Sequence, residues 1–465
     1  MPDYRRRATK EAMSVRFDFH GVLAGEPKND AGVVSEIENL AGELARVHAR
    51  VSSRRQAGEL PFLDWIHTRG ELSAVKELAD TVRRNAKTLV VVGSGGTALA
   101  AQALVGAVRP ASFRVVVADT IDPDYFGALV EELDLTTTVF NVISKSGETA
   151  ETLAQFLVIR DLLLRHLGAV DYTRHLVVTT DADQGALRQI VHDEGFQALA
   201  IPAGVSDRFA ALSPASLFPA AVAGLKPDDV LAGASWMELR CQEESVWRNP
   251  ALLLAACLYV AHRRLRLAHL FFLPFCRQLE ALAHWSAELF VEALQKSPRA
   301  PSTPGLSWLP NSWRTADPSL LAELLLERPH DTVAIFLTAT DHGRELAVAA
   351  AYQDLDALAY LGGKGAGQIL QESARALEAL LRRSGRWHVA TRWPQVNAFT
   401  LGQWIYALEL VVVYLAELLG VDLWLQPASE AYRRLLSAQL GRKGLEAQGE
   451  EAARLLASQR EEWIL

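Results

Sequence analysis

The residues with the clearest chemical potential are Ser144-Lys145-Ser146-Gly147-Glu148-Thr149, between an apolar run ending at Ile143 and the helical pattern Ala150–Leu167. Three hydroxyls fall within six residues at a helix start. Hydroxyl donors, free backbone N–H groups and the positive end of the helix dipole together make a cradle for an anion such as phosphate. Ordinary helix capping needs one hydroxyl rather than three. A second run, Val92-Gly93-Ser94-Gly95-Gly96-Thr97, also joins an apolar run to a helical one. Glycine there lets the backbone approach a ligand closely, or simply makes a tight turn. The spacing is not G-x-G-x-x-G, and Asp119 is the only candidate for an acidic ribose partner, so a dinucleotide site is not indicated. A third run, Val205-Ser206-Asp207-Arg208-Phe209, follows another apolar stretch. An arginine at a strand's carboxyl end can reach the ligand crevice of an open α/β sheet, although a surface ion pair would suit it equally.

These three runs need elements to position them. From Lys87 onward, short and almost wholly apolar runs alternate with helical patterns. Thr88–Val92, Arg114–Ala118, Thr138–Ile143, His175–Thr179 and Ala198–Ile201 read as strands covered on both faces, with helices such as Leu99–Val108 and Thr152–Leu167 between them. Five alternations predict a doubly wound parallel sheet. A helix-rich stretch, Pro214–Arg266, follows. Weaker alternation then returns, with strands at Ala268–Leu273, Thr332–Leu337 and Trp387–Thr391 and helices at Ala350–Leu361 and Gly367–Arg382. The first seventy residues and the tail, Thr400–Leu419 and Glu430–Arg460, read as helical. Pro298, Pro301, Pro304 and Pro310 mark a long loop between Lys296 and Trp313. The expected division is 1–70, 71–228, 229–415 and 416–465: a helical segment packing on the second domain, two α/β domains, and a helical C-terminal segment.

The bulk properties narrow the function classes. At 465 residues, half of them apolar and 22% charged, the chain can bury two or three cores without covalent staples. Its net charge of −8 and its scattered tryptophans do not suggest a nucleic-acid surface. Cys241, Cys257 and Cys276 show no metal-ligand spacing and read as buried thiols. Met1–Lys10 is basic but leads into no apolar segment, and no uninterrupted apolar run reaches the ~18 residues of a membrane span, the richest stretch being Ala251–Cys257. A cytoplasmic protein with no membrane or nucleic-acid partner is expected.

Taken together, Val90–Val108, Asn141–Thr152 (NVISKSGETAET) and His175–Ala223, with its TTD and RFAALS runs, resemble the glucose-6-phosphate isomerase family. The counterparts there are a GIGGS-type turn, an SKSGxTxET loop and a GGRFSxLS segment. The resemblance runs more faintly through His284–Lys296 and Asn397–Leu440. It implies two doubly wound α/β sugar-isomerase (SIS) domains, three-layer αβα, with helical extensions at both ends. No metal or nucleotide cofactor is implied, and a homodimer is expected.

Residue by residue, the resemblance implies phosphate-binding hydroxyls at Ser144, Ser146 and Thr149, with Lys145 contributing backbone and Gly95, Gly96 and Thr97 lining the site. Arg208 falls on the arginine that steadies the enediolate, but Ser206 and Asp207 stand where the family has glycines. Glu292-Ala293-Leu294-Gln295-Lys296 matches the ExxGK segment of the catalytic base, placing the base at Glu292 and a family glutamine at Glu288. The ring-opening histidine falls on Ser319 and a later glutamine on Glu323. The C-terminal QPGVExxK segment falls on Gln426–Arg433, which keeps Gln426 and turns the lysine into Arg433. Serine cannot shuttle a proton at neutral pH as imidazole can, and arginine holds its proton. If the segment around Glu292 is helical, Glu288 adds a carboxylate nearby, and one of the two pKa values should rise. His284 is an alternative histidine, with a packed or capping role as the competing reading. His330 and His388 read as structural or surface residues. Two functional expectations follow: an isomerase interconverting glucose 6-phosphate and fructose 6-phosphate with weakened activity, or a sugar-phosphate-binding relative that serves as sensor or scaffold.

Overall fold

The computed structural model describes residues 3–24, 32–68, 70–108, 113–295, 309–312 and 317–457. Among these, ten strands form two five-stranded sheets. Strand β1 (Arg16–Asp18) belongs to the second sheet. The first sheet contains β2 (Thr88–Val92), β3 (Arg114–Ala118), β4 (Thr138–Ser144), β5 (Leu176–Asp181) and β6 (Gln197–Ile201). Its order is β3-β2-β4-β5-β6 and every pairing is parallel. The remaining strands are β7 (His269–Pro274), β8 (Leu309–Ser312), β9 (Thr332–Asp341) and β10 (His388–Gln395), in the order β1-β10-β9-β7-β8. Read in chain order from the outer edge, both sheets wind alike: β3-β2-β4-β5 in the first, β8-β7-β9-β10 in the second.

The helices used below are α1 (Ala41–Gln56), α2 (Gly95–Gly106), α3 (Ala150–Asp171), α4 (Pro214–Ala223), α5 (Pro227–Cys241), α6 (Pro250–Leu265), α7 (Glu280–Leu294), α8 (Pro318–Leu326), α9 (Ala366–Arg383), α10 (Ala398–Leu419) and α11 (Pro427–Gln439). Alternate residues of each strand face opposite cores, as the pleat requires. Val90, Val92, Phe140 and Val142 pack outward on Phe156, Ile159 and Leu163 of α3. Leu89, Val91 and Val139 face inward, into a core that continues through α2, α4, α7 and α10 to Leu270, Phe272 and Ile335 of the second sheet. Phe271, Leu273 and Phe336 face the far side, under α8 and α9. Each sheet is therefore the middle of three layers, and the inner helices are shared.

Several elements differ from the sequence expectation. The N-terminal segment is not wholly helical, because β1 adds an antiparallel edge to the otherwise parallel second sheet. Ala350–Leu361 forms only one turn, Asp356–Ala359. Part of the proline-marked segment is strand: Pro310 lies in β8, an edge strand, where a missing N–H is tolerated. Lys296, Pro298, Pro301, Pro304 and Trp313 lie outside the described residues. The long apolar element is α10 rather than Ala251–Cys257. It has the length and hydropathy to cross a membrane, yet every residue of it except Glu417 is buried inside the protein. Asn397 and Thr400 form a capping box at its start and Gly420 closes it in the left-handed conformation. All three cysteines are buried and free.

Candidate active site

The first sheet's switch in winding direction lies between β2 and β4, and the loops after those two strands carry two of the three motifs. This is where open α/β sheets bind ligands. The loop after β4 is held by its own polar groups. Ser144 Oγ lies 3.1 Å from Thr149 Oγ1 and accepts the Gly147 N–H at 3.2 Å. Ser146 Oγ accepts the Glu148 N–H at 3.2 Å. Gly147 has φ +66°, and a Cβ there would lie 3.1 Å from Leu187 N, so the bend requires glycine. Thr149 is the N-cap residue of α3 but makes no side-chain capping bond. The Ser144 and Thr149 hydroxyls thus bond each other, and the first N–H groups of α3 are left for an anion. The Lys145 ammonium points elsewhere, to Asp181 and to the carbonyls of Ile201 and Pro202 at 3.4 and 3.3 Å. Its contribution to the loop is therefore backbone and anchorage.

The turn after β2 meets a second group. Gly96 is buried, and a Cβ on it would lie 3.2 Å from both the Arg208 Cα and the Glu292 Oε2. This close approach brings the glycine turn, the arginine after β6 and the carboxylate on α7 to one point. The Arg208 side chain is 2% exposed. Its Nη1 donates to the Glu292 carbonyl at 2.8 Å and to the Leu423 carbonyl at 2.6 Å. Its Nε is buried without a hydrogen-bond acceptor and faces Glu292 Oε2 at 3.9 Å. Burial lowers the guanidinium's pKa, while Glu292 and Asp207 act to hold it up. Two fixed carbonyls orient the guanidinium and leave an N–H directed at the space beside the carboxylate. Phe62 stacks on Phe209 at 4.0 Å, and Trp424 meets both rings edge-on, so an aromatic cluster locks the turn carrying Arg208. The sequence reading missed Leu423, Phe62 and Trp424. They have no motif, and only the fold brings them together.

Asp207 adds a second carboxyl. Thr97 Oγ1 donates to its Oδ1 at 3.2 Å. Burial pushes its pKa up, opposed by Thr97 and by the charges of Arg433, Arg208 and Lys145. Arg433 reaches this neighbourhood from α11, where its Nη2 lies 3.5 Å from the Oε1 of Gln426, the residue that opens the helix. Arg442, just beyond α11, pairs with Glu148 of the loop at 3.2 Å.

A family model described as phosphoglucose isomerase matches residues 73–298. The glucose-6-phosphate isomerase of Rubrobacter xylanophilus is 34% identical over 403 residues, spanning 83% of this chain and 90% of the relative. This chain belongs to the phosphoglucose isomerase family. The glucose-6-phosphate isomerase of Carboxydothermus hydrogenoformans is 29% identical over 458 residues, spanning 95% and 98% of the two chains. A crystal structure of a hypothetical protein from Thermus thermophilus superposes with a TM-score of 0.84 at 28% identity, covering 92% of this chain and all of that one. A glucose-6-phosphate isomerase structure from Chlamydia trachomatis, at 18% identity and TM-score 0.71, shares the fold; the match covers 83% of this chain and 76% of that one.

Against this phosphoglucose isomerase background, the remaining aligned residues divide. Ser319 is not gathered with the others. It is exposed at the start of α8, its hydroxyl and amide both bonded to Asp317, and α8 covers the face of the second sheet away from α7. Glu288 does have a raised pKa, but burial is the main cause and the like charge acting on it is Asp119 rather than Glu292. His284 is neither packed nor capping. It is exposed on α7, 3.6 Å from Glu288, and two turns (about 12 Å) before Glu292. His330 is exposed, and His388 is buried against the Arg386 carbonyl. Among the described residues no group of three or more His, Cys, Asp or Glu side chains is placed to hold a metal ion.

Proposed function

We propose that the protein is an aldose–ketose isomerase that interconverts glucose 6-phosphate and fructose 6-phosphate by proton transfer through a cis-enediol. The observation that carries this reading is the junction of Gly96, Arg208 and Glu292, with a buried guanidinium N–H facing a carboxylate at 3.9 Å. The relatives' names give the same reaction. The phosphate sits in the loop Ser144–Thr149, on its hydroxyls and the N–H groups of α3. Glu292 takes the proton from C2 and returns it to C1. Negative charge develops on the enediolate oxygens, and Arg208, already desolvated and oriented, stabilises it without reorganising. Gln426 and Arg433 approach from the C-terminal side. A homodimer, a cytoplasmic location and the four-part division at residues 70, 228 and 415 belong to the same proposal.

The test is a coupled isomerase assay on purified protein with Glu292→Gln as control. An amide cannot accept the C2 proton, so kcat should fall by about 10²–10⁴-fold. Turnover that survives in the variant sinks the assignment of the base. A second reading is favoured by one observation, the exposed, Asp317-bonded position of Ser319. It makes the protein a catalytically impaired sugar-phosphate binder acting as sensor or scaffold. Calorimetric binding of glucose 6-phosphate without measurable turnover would decide for it.

A further inference from the structure

If the isomerase reading holds, the enzyme must open a pyranose ring, and the position aligned with the ring-opening histidine is an exposed serine engaged with Asp317. A group that replaces it must titrate, stand beside Arg208, and have an oxygen free to meet substrate. Asp207 has these properties. It directly precedes Arg208 in the short helical turn Asp207–Phe209. Thr97, next to the Gly96 contact with Arg208 and Glu292, fixes its Oδ1 by a 3.2 Å hydrogen bond, and among the described residues nothing donates to Oδ2. The charged groups acting on it come from three directions: Arg208 beside it, Lys145 from the loop after β4, and Arg433 from α11. An anchored carboxyl thus directly precedes the arginine of the proton-transfer corner. In addition, burial favours the protonated form.

We propose that Asp207 is the group that transfers protons during ring opening. The step is balanced within the substrate. The Asp207 carboxyl gives its proton to the ring oxygen as the C1–O5 bond breaks. The C1 hydroxyl becomes the aldehyde oxygen, and its proton returns to the same carboxyl oxygen, now vacated. One proton has then moved from O1 to O5, and Asp207 is regenerated.

Ring opening can be read without isomerisation, as exchange between the α and β anomers of glucose 6-phosphate followed by NMR. In the Glu292→Gln protein, anomer exchange should run well above its rate in buffer. Adding Asp207→Asn should reduce that acceleration at least ~100-fold, the usual contribution of a general acid or base. Asparagine keeps the shape and the bond to Thr97, so a purely structural role would leave exchange intact. Asp207→Glu should recover part of it, and calorimetry with glucose 6-phosphate checks that each variant still binds. Equal exchange in the single and double variants overturns the proposal. So does absence of acceleration in a protein that binds glucose 6-phosphate. If the wild type binds no hexose phosphate at all, the isomerase reading falls first, and the two failures are told apart by the calorimetry.

Discussion

The proposed phosphate loop and the proposed proton-transfer corner follow neighbouring strands of the first sheet but are built in opposite ways. The loop is local: Ser144 bonds Thr149 and Gly147, Ser146 bonds Glu148, and all lie within six residues that end on the helix they serve. The corner is assembled from segments far apart in the chain, namely Gly96 after β2, Arg208 after β6, Glu292 on α7 and the Leu423 carbonyl past α10. A site made from one segment tolerates drift elsewhere in the sequence. A site made from four depends on the packing of the whole inner core.

The sharpest way to break this comparison is a change that silences the corner and spares the loop. Arg208→Lys keeps one charge but loses the planar fork that meets two carbonyls and still directs Nε at Glu292. Expected is a fall in kcat of about 10²–10³-fold, the cost of losing one fixed donor to a developing anion. Affinity for inorganic phosphate, measured by calorimetry, should stay near wild type. Loss of phosphate binding in step with kcat would show that the two regions are not separable.

The converse change comes next in size. Thr149→Ala removes a hydroxyl from the loop and should weaken glucose 6-phosphate binding by about 1–3 kcal/mol, with a small fall in melting temperature because the bond to the Ser144 hydroxyl is lost. Ser144→Ala should weaken binding similarly and also lower the melting temperature, because its hydroxyl accepts the buried Gly147 N–H. Equal affinity in both variants and the wild type would remove the loop from the binding site.

What the sequence disclosed follows the same division. The five strands of the first sheet are legible because each is an apolar run with both faces covered, and the hydroxyl-rich loop before α3 is legible because its residues are consecutive. Ala350–Leu361 misled for a physical reason. Its alanines favour helix, but nearly all of these residues are exposed, and short helices without a buried face are marginal. β1 was invisible because three residues carry too little pattern to distinguish an edge strand. The role of Glu288 was read from spacing along the helix, whereas its charged neighbour Asp119 comes from the end of a different strand. Arg208 was recognisable as a motif residue, but its Leu423 partner was not, since a backbone carbonyl leaves no mark in the sequence.

A smaller effect concerns how the loop is anchored. Burial raises the pKa of Asp181, but the N–H groups of Asp183 and Gln184 and the Lys145 ammonium outweigh it and hold the carboxyl below its ordinary value. A carboxyl depressed in the folded state contributes stability that is fully present above its unfolded pKa, near ~3.9, and is lost as pH falls through the folded value. Asp181→Asn should therefore melt below wild type at pH 7, and the gap should close at pH values below about 4. A gap of constant size across that range would mean the carboxylate charge contributes nothing.

The smallest effect tests whether the C-terminal segment senses the loop at all. Arg442 meets Glu148 at 3.2 Å, with side chains 56% and 50% exposed. Exposed pairs contribute about 0–1 kcal/mol, so Arg442→Ala should change the melting temperature only slightly. Its effect on ligand binding is more informative. Arg442 lies beside an anion cradle whose own lysine is committed to Asp181, so removing it takes away a positive charge that attracts phosphate from a distance. Glucose 6-phosphate affinity should drop by less than about fivefold at low salt, within the range of such pairs, and the difference should vanish near 1 M salt, where screening acts within about 3 Å. A loss that persists at high salt would mean that Arg442 contacts the bound phosphate directly, and that the loop is completed from the C-terminal side just as the corner is.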